Sequence, residues 1–238
     1  MSSRPDGPGA AMPRRLYGRR RGRPLRQGQR ALVETLLPDL QIGLPPDRLL
    51  DPAALFAGEV DEVWLEIGFG AGEHLAWQAE AHPRCGIIGS EVFEPGIAKL
   101  LTAIAERRLG NVRLFADDAR TLVAALTPQS LARVFILFPD PWPKERHKKR
   151  RLVSTETLDG LARVMVDGAA LRIATDDRDY AQWIEERGDA HRAFARIALP
   201  VRPEDWPQTR YEKKAAAQGR AARLFLYRRR DRGGRAEP

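Results

Sequence analysis

The chain has 238 residues, 43% of them hydrophobic, which suits one large domain with an appendage and excludes a chain disordered throughout. Its formal charge of +8 is unevenly placed: residues 1–30 hold nine arginines and one acid, Asp6, and the remainder is charge-balanced. The single cysteine, Cys85, excludes an internal disulfide and a cysteine-built zinc site, and no apolar stretch reaches the length of a membrane helix.

Taken in order, residues 1–28 are rich in Pro, Gly and Arg and have little to bury, so a disordered basic arm is expected. An arm of that charge points to a polyanionic partner. It lacks the apolar core of a secretory signal, and with one lone thiol the chain fits a cytoplasmic setting. Residues 29–59 read as a lead-in: a weak helix over 29–37, ended by Pro38, then a connection marked by Pro45, Pro46 and Pro52.

From residue 60 to about 230 the pattern becomes regular. Strands are expected at 63–67, 85–90, 112–115, 133–138 and 169–175, with helices at 73–81, 95–108, 121–126, 154–166 and 180–187. Pro95 near one helix start and Gly110 beyond its end give the expected asymmetry. Two more extended segments, 194–199 and 223–227, show no helix between them and are expected to pair antiparallel; 231–238 reads as a disordered tail. Alternating strands and helices predict an α/β fold whose mainly parallel sheet is covered on both faces, with every parallel strand ending at one edge.

That edge collects carboxylates. Glu91, Asp118, Asp140 and Asp176 each follow a predicted strand, and Glu66 precedes the first glycine turn by one residue. Each acid has a bland reading as a helix cap, and for Asp118 capping and ligand binding are equally supported. The turn is Gly68-x-Gly70-x-Gly72, tighter than a dinucleotide fingerprint. Glu91, at the end of the second strand, is placed to hold both hydroxyls of a ribose. Together they suit an adenosine-containing ligand without a pyrophosphate, with S-adenosyl-L-methionine the leading candidate. Glu66 could then meet its cationic end and Asp118 its adenine amine. Metal-ligand histidine spacing, a phosphate-loop lysine and a nucleophile triad are absent, so no metal is expected.

The densest signal is Phe138-Pro-Asp140-Pro-Trp142-Pro-Lys144, followed by Arg146, His147, Lys148, Lys149, Arg150 and Arg151. A strand stops at a proline-framed carboxylate and indole, and a cation run suited to nucleic-acid phosphates follows. Trp142 could stack on a base or simply pack the turn.

With Glu66-Ile-Gly-Phe-Gly, Gly89-Ser-Glu91, Asp118-Ala, Ala174-Thr-Asp176 and Thr209-Arg-Tyr-Glu212, this segment makes the chain resemble bacterial tRNA (guanine-N7-)-methyltransferases over residues 60–228. The resemblance implies a class I methyltransferase fold, Rossmann-like, with a seven-stranded sheet and an antiparallel last strand. It implies transfer of a methyl group from S-adenosyl-L-methionine to N7 of guanosine 46 in the variable loop of tRNA. It also implies cofactor contacts from Glu66, Gly68, Gly70, Gly72, Glu91, Asp118 and Asp140, with Asp140 catalytic. Substrate contacts are implied for Lys144, Asp176, Thr209, Arg210, Tyr211 and Glu212, and RNA contacts for Arg146, His147, Lys148, Lys149, Arg150 and Arg151. Arg210 and Tyr211 replace the family's usual Lys and Phe, and residues 213–219 lack its arginine-glycine step, which leaves that loop's shape open. The alternatives are another adenosylmethionine-dependent RNA or small-molecule methyltransferase, or a non-catalytic RNA-binding protein on the same sheet.

Overall fold

A computed structural model describes Gly18 and residues 20–233; the greater part of the basic arm and the last five residues of the tail lie outside the described residues. Seven strands form one sheet: β1 (Glu62–Ile67), β2 (Cys85–Ser90), β3 (Val112–Phe115), β4 (Leu131–Leu137), β5 (Met165–Thr175), β6 (Phe194–Ile197) and β7 (Arg223–Arg229). Their order is β3-β2-β1-β4-β5-β7-β6. The β1–β2, β1–β4, β2–β3 and β4–β5 pairs are parallel, and β7 runs antiparallel to both neighbours. The chain moves outward from β1 on one side and returns to β4 on the other. The crevice where strand order reverses is therefore at the C-terminal ends of β1 and β4.

Side-chain alternation builds two cores. Val63, Leu65 and Ile67 of β1, with Val134 and Ile136 of β4, face one side. Trp64, Phe135 and Leu137 face the other. Helices α5 (Ala119–Ala125), α6 (Thr155–Val164) and α7 (Arg178–Ala190) contribute Leu122, Leu158, Leu161 and Ile184 to the first core. Helices α3 (Glu73–Ala81) and α4 (Glu94–Arg107) contribute Leu75, Ala79, Leu100 and Leu101 to the second, where α1 (Gln27–Thr35) and α2 (Leu37–Leu40) also pack. Parity puts Glu66 on this second side, beneath α3.

The expected strands and central helices are present, with instructive differences at their ends. The stop of α4 is made by Arg108 itself, a non-glycine residue at φ 55°, rather than by Gly110. Pro38 does not end the lead-in helix but occupies the first turn of α2, where its missing N–H is harmless. The expectation of no helix before the last strand is wrong: α8 (Arg210–Ala217) lies between β6 and β7. Its N-cap is Thr209, whose hydroxyl accepts the Glu212 N–H at 3.2 Å. Residues 20–22 belong to the folded body: the Arg20 carbonyl accepts the Glu94 N–H at 3.0 Å, and its guanidinium meets Asp117 at 3.1 Å. Cys85 is half-buried, and burial raises its thiol pKa.

Candidate active site

At the strand-order reversal two cavities, of about 490 and 420 Å³, lie on either side of the glycine turn and share Gly68, Gly70 and Phe138 as lining. Gly68, Gly70 and Gly72 have φ of 72°, 55° and 75°, a region that side-chain-bearing residues rarely adopt. A Cβ added at Gly68 or Gly70 would meet nothing within 4 Å, whereas one at Gly72 would strike Leu100 at 2.7 Å. The first two glycines leave a bare backbone shelf, and the third lets α3 and α4 close together.

Glu66 borders the larger cavity and is buried. One of its oxygens, Oε2, bonds to His74 Nδ1 at 2.7 Å, and Oε1 takes no hydrogen bond among the described residues. Glu91 borders the smaller cavity. Its Oε2 accepts the Gly70 N–H at 2.8 Å and its Oε1 accepts the N–H groups of Val92 and Phe93 at 2.7 and 3.0 Å. Three backbone donors thus fix this carboxylate and fasten the glycine shelf to the end of β2.

Asp140 stands beside the smaller cavity with its residue surface exposed. No hydrogen bond reaches its carboxylate among the described residues, and the protein around it withdraws enough water to raise its pKa above the ordinary carboxylate value. Before it, Phe138 takes φ 53°, and after it Trp142 takes φ 46°. Such values are strained for bulky side chains. They turn the chain sharply out of β4 while Phe138 N–H still bonds to Ala174 O at 2.8 Å.

The other expected site residues divide by geometry. Asp118 borders the smaller cavity, but its carboxylate caps α5 through Arg120 N–H at 3.0 Å and holds the Arg120 guanidinium, with the nearest contact 2.6 Å. Asp176 sits at the end of β5, paired with Arg220 and 3.4 Å from the Tyr211 hydroxyl. Tyr211 leans on Phe138 with ring centroids 5.0 Å apart, and Arg210 lines the larger cavity beside it. Thr209 borders the same cavity while capping α8. Glu212 faces inward, buried and paired with Arg202, and so belongs to the scaffold rather than the substrate surface.

The cation run forms a short 3-10 turn, Glu145–Arg150. Lys144, Arg146 and Lys149 are exposed. Lys148 is held by Glu145 at 2.9 Å and Asp179 at 3.3 Å. His147 meets the Trp142 ring edge-on at 5.9 Å, and Arg150 lies over the same ring at 5.0 Å. Arg151 overturns its expectation as an RNA contact. It is buried, donates to the Pro141 carbonyl at 2.8 Å, pairs with Asp179 and stacks on Tyr180 and Trp183. It fastens the proline-framed turn to α7.

Several neighbours went unread in the sequence. His74 and Gln78 lie one helical turn apart on the buried face of α3, and Lys99 and Lys214 line the larger cavity. The Thr209-x-x-Glu212 spacing is a helix-start signal that would have found α8. Nothing in the sequence marked His74, because its meaning depends on which face of α3 meets Glu66.

Comparison with known proteins agrees with this architecture. A family model described as "Putative methyltransferase" matches residues 61–224. The tRNA (guanine-N(7)-)-methyltransferase of Paramagnetospirillum magneticum is 52% identical over 95% of this chain and 98% of its own length. That of Rhodospirillum rubrum is 48% identical over 92% and 89%. Among solved structures, the 16S rRNA methyltransferase KamB superposes with a TM-score of 0.54 at 17% identity, covering 72% of this chain and 89% of its own. The aminoglycoside resistance methyltransferase NpmB1 does so with a TM-score of 0.52 at 18% identity, over 72% and 89%; these two likenesses establish the fold. With its family motifs gathered at one sheet edge, the chain belongs to the tRNA (guanine-N(7)-)-methyltransferase family.

Proposed function

We propose that this protein transfers a methyl group from S-adenosyl-L-methionine to N7 of guanosine 46 in the variable loop of tRNA. The observation that carries the reading is the meeting of Glu66, Glu91 and Asp140 around two cavities joined across a bare glycine shelf. The donor set fits the cofactor. Glu91 retains acceptor capacity toward a ribose diol, Gly68 and Gly70 allow close approach of the ligand, and Glu66 Oε1 is available to an ammonium group. Asp118 borders the adenine end, with its carboxylate already engaged by Arg120. When bound, the cofactor supplies a methyl group on a sulfonium.

Guanine N7 carries an in-plane lone pair at neutral pH, so no proton has to be removed before attack. The protein's task is positioning and electrostatics. Asp140 is the carboxylate at this edge with no protein donor among the described residues, whereas Asp176 is engaged by Arg220 and Tyr211. That difference supports Asp140 as the group that accepts the guanine N–H donors and favours the purine as it becomes cationic. Tyr211, Phe138 and Trp142 offer aromatic surface beside it. Lys144, Arg146 and Lys149 face outward for the RNA backbone, and His147 and Arg150 shape the Trp142 platform. A tRNA substrate and a single half-buried thiol support a cytoplasmic setting.

Calorimetry tests the cofactor half of this reading. Replacing Glu91 by Ala removes a charged acceptor, and S-adenosylhomocysteine affinity should fall about tenfold to a hundredfold. Unchanged affinity in a folded Glu91→Ala protein would remove Glu91 from the site.

A further inference from the structure

Beneath the larger cavity runs a buried polar chain. Glu66 Oε2 meets His74 Nδ1 at 2.7 Å, His74 Nε2 meets Gln78 Nε2 at 3.1 Å, and Gln78 Nε2 donates to the Asp205 carbonyl at 2.8 Å. Glu66, His74 and Gln78 are all less than 4% exposed. Burying such groups is unfavourable unless each is well paired, and an apolar layer would fill the same space at lower risk.

The geometry also sets the proton positions. Gln78 must present its NH₂ to the Asp205 carbonyl, so its second N–H points at His74 Nε2, which accepts. His74 therefore carries its proton on Nδ1 and donates it to Glu66. That bond occupies one carboxylate oxygen and leaves Oε1 for the cavity. The far end is anchored just as firmly. The Asp205 carboxylate receives Arg133 at 2.8 Å and Arg172 at 2.7 Å, and Arg172 lies over the buried Trp206 ring at 5.4 Å. Four residues beyond Asp205 comes Thr209, the cap of α8. The Arg210 N–H that follows donates to Glu73 at 2.9 Å, at the start of the helix carrying His74.

We propose that His74, Gln78 and Asp205 form a positioning relay. It fixes the Glu66 carboxylate toward the amino-acid end of the cofactor and holds the loop that delivers α8 to the substrate side of the cavity. The proposal rests on the cofactor reading above. His74 touches Glu66 rather than the reacting atoms, so it acts through Glu66.

Two ligands separate this role from general packing. S-adenosylhomocysteine carries the amino-acid end; 5′-methylthioadenosine has the same nucleoside without it. In His74→Leu, S-adenosylhomocysteine affinity should fall about tenfold or more, the scale of removing one charge-assisted bond, while methylthioadenosine affinity changes less than about twofold. His74→Asn, whose side-chain N–H can take the place of Nδ1–H, should restore most of the difference. Gln78→Met, a milder change that leaves the His74–Glu66 pair in place but unfixed, should show the same selective loss at smaller size, and it serves if His74→Leu does not fold. Equal losses for both ligands in the folded variants, or no loss for either, would overturn the relay. A wild-type protein that binds neither ligand would instead overturn the cofactor reading itself.

Discussion

At the scale of single residues, the proposed chemistry rests on Asp140. It is framed by prolines and lacks a protein hydrogen bond among the described residues, and its pKa is raised by loss of water. A group with a raised folded-state pKa weakens folding once ionised: the stability present below its unfolded pKa is lost as pH rises through the folded value. Asp140→Asn should therefore melt at a slightly higher temperature than the native protein at neutral pH. Its turnover should fall by about 10²–10³-fold, as when one preorganised electrostatic group is removed. The native enzyme should lose activity on acidification at a pH above the ordinary aspartate value of about 3.9, and this limb should be absent from the residual activity of the variant. Near-native single-turnover rates in Asp140→Asn would transfer the role to Asp176.

At the scale of elements, two segments have functions that the sequence half disclosed. The carboxylates were legible because each parallel strand is a short apolar run with an acid at its end, and parallel topology sends those ends to one edge. What the sequence could not separate was an acid that faces the cavity from one already engaged. Asp118, Glu212 and Arg151 carry family-motif identities, yet each is held by a partner elsewhere in the chain or by a neighbour across a cap. The two lysines and run of alanines of α8 obscure it in the sequence, and the family resemblance implies a substrate contact for Thr209, whereas the structure shows it capping the helix. Substitution discriminates these roles. Thr209→Ala should cost about 1 kcal/mol through removal of the cap and weaken activity with it. Thr209→Asp, a capping residue without a hydroxyl, should restore both; recovery of stability without activity would mean that the hydroxyl touches substrate. In the cation run, Arg146 and Lys149 are exposed while Lys148 is held by two acids. Neutralising Arg146 and Lys149 together should flatten the salt dependence of tRNA binding by about 0.7–0.9 for each phosphate no longer neutralised. An unchanged slope would leave that pair outside the RNA-binding surface.

At the scale of the whole molecule, the charge-balanced part of the chain carries the candidate site, and Arg150 of the cation run and Gly18 of the basic arm both line its smaller cavity. Residues 20–22 pack against the start of α4, and Gly18 lines the smaller cavity, so the described end of the basic arm reaches that cavity. Labelled methyl transfer identifies the methylated atom. Unmodified tRNA transcripts with and without guanosine at position 46 would be incubated with methyl-labelled S-adenosyl-L-methionine, and the modified base located and identified. One methyl group per tRNA is expected, at N7 of guanosine 46, with incorporation lost when another base replaces it. Methylation at another base or another atom, or incorporation indifferent to position 46, would contradict the proposed function.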